Sequence, residues 1–323
     1  MVWTRHMITA GAILPFRLVA VSYATASRST GRVYRRVSDA IGAKYRTFAF
    51  NTASTSMTLT MEDRHARLLV LKRGQIIAWR SSEIEGPPVP TADLDAESPG
   101  EAPLTPVYSP LGALLDGLPA RSKRVVADLP LHVPLLRHIP LPEVKGKFLR
   151  EIVNTEVLNS VPFAQDEVDI QWRIEQGEEI REASVIAIPT ERINDQIKIL
   201  RDSQLAPTAI YSKAASLAVA VARPDVFILH MTPGQTAVIL VRAGVTRIVH
   251  RIELPRDLDE QVEAIAMGVG QVAGYHRSQR PDDDVGSLPI VVTGELDPVK
   301  ELVGRLEQSL DRQVLPFEPA LDS

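Results

Sequence analysis

Residues 57–80, MTLTMEDRHARLLVLKRGQIIAWR, and residues 227–250, FILHMTPGQTAVILVRAGVTRIVH, carry one pattern twice. In the first copy three short apolar runs, MTLTM (57–61), RLLVLK (67–72) and QIIAWR (75–80), are joined by a polar turn over Glu62–His65 and a hairpin at Arg73-Gly74. In the second copy the runs are FILHM (227–231), AVILVR (237–242) and VTRIVH (245–250), joined over Thr232–Gln235 and at Ala243-Gly244. Aliphatic and β-branched runs of this length, punctuated by a glycine-containing pair, read as antiparallel meanders. A shift of 170 lays Met61 on Met231, Leu71 on Val241, Lys72 on Arg242 and Gly74 on Gly244. The recurrence predicts a duplicated domain with two similar lobes. Glycine-tipped hairpins are common, so coincidence is the competing reading.

Working outward, KRVVADL (123–129) and LLRHIPL (135–141) read as strands. Residues 143–160 read as a helix with Val144, Phe148, Ile152 and Val157 at near-helical spacing, stopped by Pro162. VDIQWRI (168–174) and EASVIAIP (182–189) read as a hairpin around Gly177. A helix over 190–204 follows, capped at Thr190 and apolar at Ile193, Ile197 and Leu200. The succession describes a compact α+β subdomain. Beyond the second meander, Asp257 opens a long helix to about Ser278, with Val262, Ile265, Val269 and Val272 on one face. LPIVVTG (288–294) reads as a buried strand, and a helix over 298–310 starts at Pro298.

A chain of 323 residues that is 45% hydrophobic can bury more than one core. It has no cysteine, which excludes thiol nucleophiles, thiolate metal sites, iron–sulfur clusters and disulfides. The net charge of −4 gives no general reason to expect nucleic-acid binding. Prolines (24) outnumber glycines (18), a poor supply of phosphate-cradling loops. The apolar stretch Met7 to Thr25 is broken by Pro15 and Arg17, short of the roughly 20 residues a spanning helix needs. Residues 1–56 hold eight Lys/Arg against Asp39 alone, a charge of +7 that leaves −11 on residues 57–323. Three readings fit this extension: a basic arm for an anionic surface, a targeting segment, or residues foreign to the core, with Met57 or Met61 as the start. The core is expected to exclude it. The stretch GPPVPTADLDAESPGEAPLTPVYSP (86–110) has seven prolines, and five acids lie between Glu85 and Glu101. It reads as an extended surface loop.

No motif stands alone as a catalytic centre. Gly268-Val-Gly270-Gln-Val-Ala273 matches a dinucleotide fingerprint, but that motif needs a strand before it, and Asp257 to Met267 has helical period. The glycines read instead as mid-helix positions allowing close helix–sheet contact. His132 and His138 would lie roughly 20 Å apart along a strand, too far to share an ion. His230 lacks an evident partner. Asp282-Asp283-Asp284 reads as a solvated loop rather than a metal site.

The order of features between residues 123 and 254 resembles the type IV pilus assembly protein PilM. VVADLP (125–130) precedes LLRHIPLP (135–142). A helix then brings Glu156 shortly before Val161-Pro162-Phe163, and Glu167-Val168-Asp169 follows. SVIAIPTERI (184–193), a helix ending in Ser203-Gln204-Leu205-Ala206-Pro207, and a strand-turn-strand reaching Gly244 complete the series. The resemblance spans about 57–318 and is strongest over 123–211. That family is similar to FtsA, so the resemblance implies an α/β, duplicated two-lobe actin-like (ribonuclease H-like) fold with an inserted α+β subdomain. The expected domains are residues 1–56 as the basic extension, 57–129 as the first lobe with the loop 86–110, and 130–205 as the insertion. Residues 206–225 return to the first lobe, and 226–323 form the second.

In the family, ATP lies between the lobes, held by two phosphate hairpins and an adenosine loop. The departures here are specific. The first hairpin, approximately Asp-Ile-Gly-Ser-Ser in the family, corresponds to Met61-Glu62-Asp63-Arg64-His65, which lacks the glycine and brings two acids that would repel phosphate. The second reads His230-Met231-Thr232-Pro233-Gly234-Gln235-Thr236. Gly234 and Thr236 fit, but His230 replaces the magnesium-associated Asp, Thr232 replaces the first glycine, and Pro233 removes an amide donor. The adenosine loop is Thr293-Gly294-Glu295, with one glycine of two. Gly234, Thr236 and Gly294 are therefore the candidate cofactor-binding residues of an eroded ATP site, expected to bind ATP and magnesium weakly or not at all, with no catalytic residue and no metal ligand. The resemblance implies a cytoplasmic adaptor at the inner face of the cell membrane, a degenerate ATPase that docks the cytoplasmic tail of a PilN-like inner-membrane protein in a groove between the insertion and the first lobe. It leaves self-association open and implies no nucleic acid. The alternatives are an active ATP-binding protein of the same fold and a sugar-kinase-like enzyme, for which no catalytic Asp is evident.

Overall fold

The computed structural model describes residues 55–62, 65–72, 75–83, 110–118, 124–141, 147–161, 163–176, 181–232, 235–294 and 299–317. The basic extension, apart from Thr55 and Ser56, and the proline- and acid-rich loop, apart from Pro110, lie outside these residues, as do Gly177 and the tips Asp63-Arg64, Arg73-Gly74 and Pro233-Gly234. In chain order the elements are β1 (Thr55–Glu62), β2 (His65–Lys72), β3 (Gln75–Glu83), α1 (Pro110–Leu115), β4 (Arg124–Leu129), β5 (Leu135–Pro140), α2 (Lys147–Ser160), β6 (Val168–Gln176), β7 (Arg181–Pro189), α3 (Thr190–Asp202) and β8 (Ala206–Ser212). The remainder are α4 (Lys213–Val221), β9 (Val226–Thr232), β10 (Gln235–Arg242), β11 (Val245–Ile252), α5 (Leu258–Gln279), β12 (Ile290–Gly294), α6 (Val299–Leu310) and β13 (Val314–Pro316).

Two five-stranded sheets have the same order, β3-β2-β1-β4-β8 and β11-β10-β9-β12-β13. In each, a meander supplies three antiparallel strands and the last two run parallel to the first. The register also slips at matching places, between Val70 and Leu71 in β2 and between Leu240 and Val241 in β10. Those positions are 170 apart, the offset of the sequence repeat. A bulge is a local departure with its own twist, so its recurrence argues against coincidence. The chain has the duplicated, two-lobe actin-like fold.

The second sheet is covered on both faces, which is why β9 (VFILHMT) is apolar without alternation and buried throughout. Phe227, Leu229 and Met231 pack with α5 and α6. Ile228, with Ile239 and Val241, packs under Ala214 and Ala218 of α4. Asp257 caps α5 as expected, accepting from the amides of Asp259 and Glu260 at 2.9 and 3.2 Å. Of the two mid-helix glycines, Gly268 is the one in close contact, since a Cβ there would lie 2.3 Å from Ile252 Cδ1.

The insertion has its own three-stranded sheet, β5-β7-β6, and its own core of Leu149, Val153 and Val157 against Ile139, Val168, Ala183, Val185 and Ala187. Val157 is buried as read, but before it the inward positions are Leu149 and Val153, one residue beyond Phe148 and Ile152; Phe148 is exposed, and Val144 lies outside the described residues. Thr190 does not cap α3 either. Its amide donates to Glu167 O at 2.8 Å, and Pro189, which has no hydroxyl to offer, stands at the N-cap. The apolar side of α3 packs with Leu129 of β4 and Ile210 of β8, while Leu200 joins the core of β1, β2 and β4. Ile188 of β7 lies in the same cluster as Leu129 and Ile210, so α3 packs on both the insertion and the first lobe.

A buried carboxylate joins the insertion to the second lobe. Glu182 of β7 binds both Arg247 of β11 and Arg280 beyond α5. Arg247 Nη1 also lies 3.1 Å from His138 Nδ1, which is 3.2 Å from Ser184 Oγ. Burial, with the charge of Arg247 added, lowers the pKa of His138 to about 4, so the imidazole is neutral at pH 7. Replacing Glu182 by alanine leaves Arg247 buried without its counter-charge. The expected cost, read from urea unfolding, is about 3–5 kcal/mol.

Candidate functional site

Within each lobe the parallel register decides which strand ends lie side by side. Pairing of Leu59 with Ala127 and of Leu129 with Ser212 brings the C-terminal ends of β1, β4 and β8 together. Pairing of Thr293 with His230 does the same for β12 and β9. Sites in open α/β sheets form at such strand ends. Here they carry Glu62, Asp128, Lys213, His230 and Thr293, and Arg67 returns along β2.

These groups form one buried cluster. Glu62 Oε2 accepts from Arg67 Nη1 at 2.7 Å, and Glu62 Oε1 accepts from Lys213 Nζ. Lys213 Nζ also lies 3.7 Å from Asp128 Oδ2. His230 Nδ1 is 3.0 Å from Thr293 Oγ1. Its Nε2 stands 3.7 Å from Glu62 Oε1, beyond hydrogen-bond distance. Glu62, Arg67, Lys213 and His230 are all 7% exposed or less. Charges so removed from water are tolerable only when paired, and two carboxylates here face two cations.

The surroundings set the protonation states. Burial pushes Glu62 upward, but His230 and Lys213 outweigh it and hold the carboxyl well below the usual range, so it is ionised. Burial drives Asp128 up to about 6 against the attraction of Lys213. Burial likewise lowers His230, helped by Lys213, and keeps it neutral despite the neighbouring carboxylate. A locked carboxylate and a buried neutral imidazole are poorly placed for proton transfer with a substrate. What the arrangement does is join the first-lobe hairpin to α4 and to β9 of the second lobe.

The candidate cofactor residues fall beside this cluster. Thr236 and Gly294 pair with Met231 from its two sides, so the structure brings them together. Thr236 is buried. Gly294 has φ +111°, and a Cβ there would sit 1.8 Å from Met231 O, so glycine is required by the backbone itself. Gly234 lies outside the described residues. Two sequence readings are corrected. His230 does have partners, and Glu62 is not a free acid but a neutralised one. The Asp282–Asp284 run is also more than solvated loop, since Asp283 pairs with Arg242 and lies 2.8 Å from His276 Nε2. Among the described residues no group of three or more His, Asp or Glu is arranged to hold a metal ion. Sequence reasoning missed Arg67 and Lys213. The available signal was a single lysine opening an otherwise apolar, alanine-rich helix, KAASLAVAV.

Comparison with known proteins adds a fold-level likeness. A chain of the PilM-PilN type IV pilus biogenesis complex matches with a TM-score of 0.55 and 18% identity, covering 81% of this chain and 88% of that one. The cytoplasmic domain of EpsL, an inner membrane component of the type II secretion system of Vibrio cholerae, matches at 0.48 and 13%, covering 75% and 83%. The ethanolamine utilization protein EutJ of Carboxydothermus hydrogenoformans matches at 0.41 and 11%, covering 81% and 84%. No family model matches the chain, and no curated protein matches it in sequence. The chain is similar in fold to the PilM-PilN match.

Two outcomes follow from the site. Gly294→Ala forces a side chain into the carbonyl of Met231, and urea unfolding should show a loss of about 3 kcal/mol or more. Asp128 has a folded pKa of about 6 against an ordinary value of 3.8. The folded state therefore binds its proton first, and the stability it contributes rises as pH falls through 6 and is lost again above it. Relative to Asp128→Asn, the native chain should gain on the order of 2–3 kcal/mol between pH 7 and pH 4, measured by paired urea titrations.

Proposed function

We propose that this chain is a PilM-like adaptor of a type IV pilus or related secretion assembly. In this reading it works at the cytoplasmic face of the inner membrane and docks a segment of a PilN-like membrane partner. Its cleft is a degenerate nucleotide site. The observation that carries the proposal is the position of Glu62. Its carboxylate already pairs with both Arg67 and Lys213, the two cations that an incoming phosphate would need. A phosphate entering between the hairpins would have to displace that carboxylate and then face its charge, at one end of a hairpin where Pro233 offers no amide. The internal ion cluster takes over the joining of the lobes, and the body so formed is a platform for protein contacts.

The partner side of the proposal rests on likeness to a complex of PilM with PilN. The segment is expected to be extended or helical and to lie between the insertion and the first lobe. The second reading, an ATP-binding protein of the same fold, is favoured by one observation: two cations, Arg67 and Lys213, do stand in the cleft.

Calorimetric titration separates the two. ATP with and without magnesium should show no binding at about 100 μM or tighter. Micromolar binding would overturn the degenerate site and promote the second reading. Fluorescence anisotropy of the full chain with cytoplasmic tails of inner-membrane pilus proteins tests the docking. Failure of every tail to bind sinks the adaptor role.

A further inference from the structure

One side of α5 is packed and accounted for. Val262, Ile265, Val269 and Val272 enter the second-lobe core. The opposite side carries Glu260, Glu263, Met267, Gly270, Gly274 and Arg277, all exposed and spaced three or four residues apart. That alternation of three and four is the spacing of a helix–helix seam. Met267 is 65% exposed, and Tyr275, beside the seam, is 60% exposed. A shallow groove of about 360 Å³ runs along the first half of this seam, between α5 and β11, with Ile252, Ala264 and Gly268 inside and Glu263 and Met267 on its edge.

Nothing among the described residues explains Gly270 and Gly274. Among the described residues a Cβ at either would meet nothing within 4 Å, and neither has the positive φ that would demand glycine. Mid-helix glycine is unfavourable relative to alanine, so a pair one turn apart on an exposed face is a cost without a return inside the chain. Absent side chains do let another backbone come close. The charges say which one. Glu260 and Glu263 stand in the first two turns, and Arg277 stands in the last. A helix of uniform charge laid along this seam would be repelled at one end. A helix with the same gradient, reversed, is attracted at both ends.

We propose that this face of α5 pairs with the same face of a second copy of this chain, antiparallel about a two-fold axis near Gly270. Glu263 and Arg277 lie seven residues to either side of Gly270, so each Glu263 comes opposite Arg277 of the other copy. Met267 falls within one residue's rise, about 1.5 Å along the axis, of the other copy's Gly274, and the missing Cβ leaves room for its thioether. Such a contact is isologous and closes at two copies. The seam from Glu260 to Arg277 is only about 26 Å long, so the dimer is of the weak, exchanging kind. It uses neither the cleft nor the insertion, and stands or falls apart from the proposed function.

The test is sedimentation velocity of the full chain from about 1 to 200 μM, where a concentration-dependent dimer is expected. Gly270→Leu should weaken it at least about tenfold while leaving the melting temperature unchanged or raised, because the position is open and leucine is the better helix former. Glu263→Arg and Arg277→Glu should each weaken it, and the two together should restore it. A chain that stays monomeric throughout, leaving the face to a different protein or to solvent, overturns the proposal. So does a dimer indifferent to Gly270→Leu. Weakening by Gly270→Leu without rescue by the double charge reversal overturns the antiparallel register.

Discussion

The carboxylate of Glu62 is the point on which the two lobes turn. It ends β1, takes a hydrogen bond from Arg67 of the adjoining strand, and takes another from Lys213 at the head of α4. The body of α4 lies on the second-lobe sheet through Ala214 and Ala218. One ion therefore ties a first-lobe hairpin to a helix seated on the other lobe, with His230 of β9 standing over it. Desolvating an isolated carboxylate costs several kcal/mol, and the pairing has to offset that for both partners. Glu182 repeats the device on the other side of the molecule, holding the insertion to the second lobe through Arg247 and Arg280. Buried ion pairs contribute less to net stability than their number suggests. What they do enforce is arrangement, since a shifted lobe would leave charges buried and unpaired.

The two lobes share strand order and a bulge at matching positions, but they have diverged in their covering. After β11 the crossover to β12 is the 22-residue helix α5. After β3 the described part of the crossover is the six-residue α1, preceded by the proline- and acid-rich stretch. The edge strand β3 accordingly keeps Ile76 and Ile77 partly in water, whereas the central strand β9 is buried at every residue. The crossover between β4 and β8 has absorbed the insertion, and α3 still performs the packing that α6 performs in the second lobe. Duplication set the sheets, and the connections were free to differ because loops and crossovers tolerate change that sheet registers do not.

The sheets were legible because their signal is local. Glycine-tipped pairs and aliphatic runs fix each meander within a few residues, and the offset of 170 joins the two. Asp257 was legible for the same reason, as a cap acts on amides two and three residues away. The cluster was not. Its members stand at positions 62, 67, 128, 213, 230 and 293; the antiparallel β1–β2 pair brings Arg67 to Glu62, and the parallel registers bring the other strand ends level within each sheet. Read one at a time, Glu62 is a repulsive acid and His230 a lone imidazole. Gly268 and Gly270 make the same point at shorter range. They look alike in sequence, but one lies against Ile252 and the other faces open space. In the first turns of α2 the phase was misjudged because Phe148 is more apolar than its position is buried, while Val157 further on is buried as read.

The chemistry of the cleft also bears on motion. A ligand shifts a protein between arrangements only by binding one of them better than the other. In a cleft where nucleotide joins the lobes, that difference arrives and leaves with the nucleotide. Here the joining charge is part of the chain. Glu62 stays ionised throughout the ordinary pH range, so neither proton uptake nor a departing ligand removes its charge. Asp128, pushed up to about 6, is the member of the cluster able to change charge near neutrality, and its protonation relieves the crowding of two carboxylates around Lys213 rather than breaking the Glu62 pair. The molecule is thus biased toward one arrangement of its lobes. On the adaptor reading that bias is useful in itself, because a partner segment bound across two subdomains pays less ordering entropy when they are already held in place.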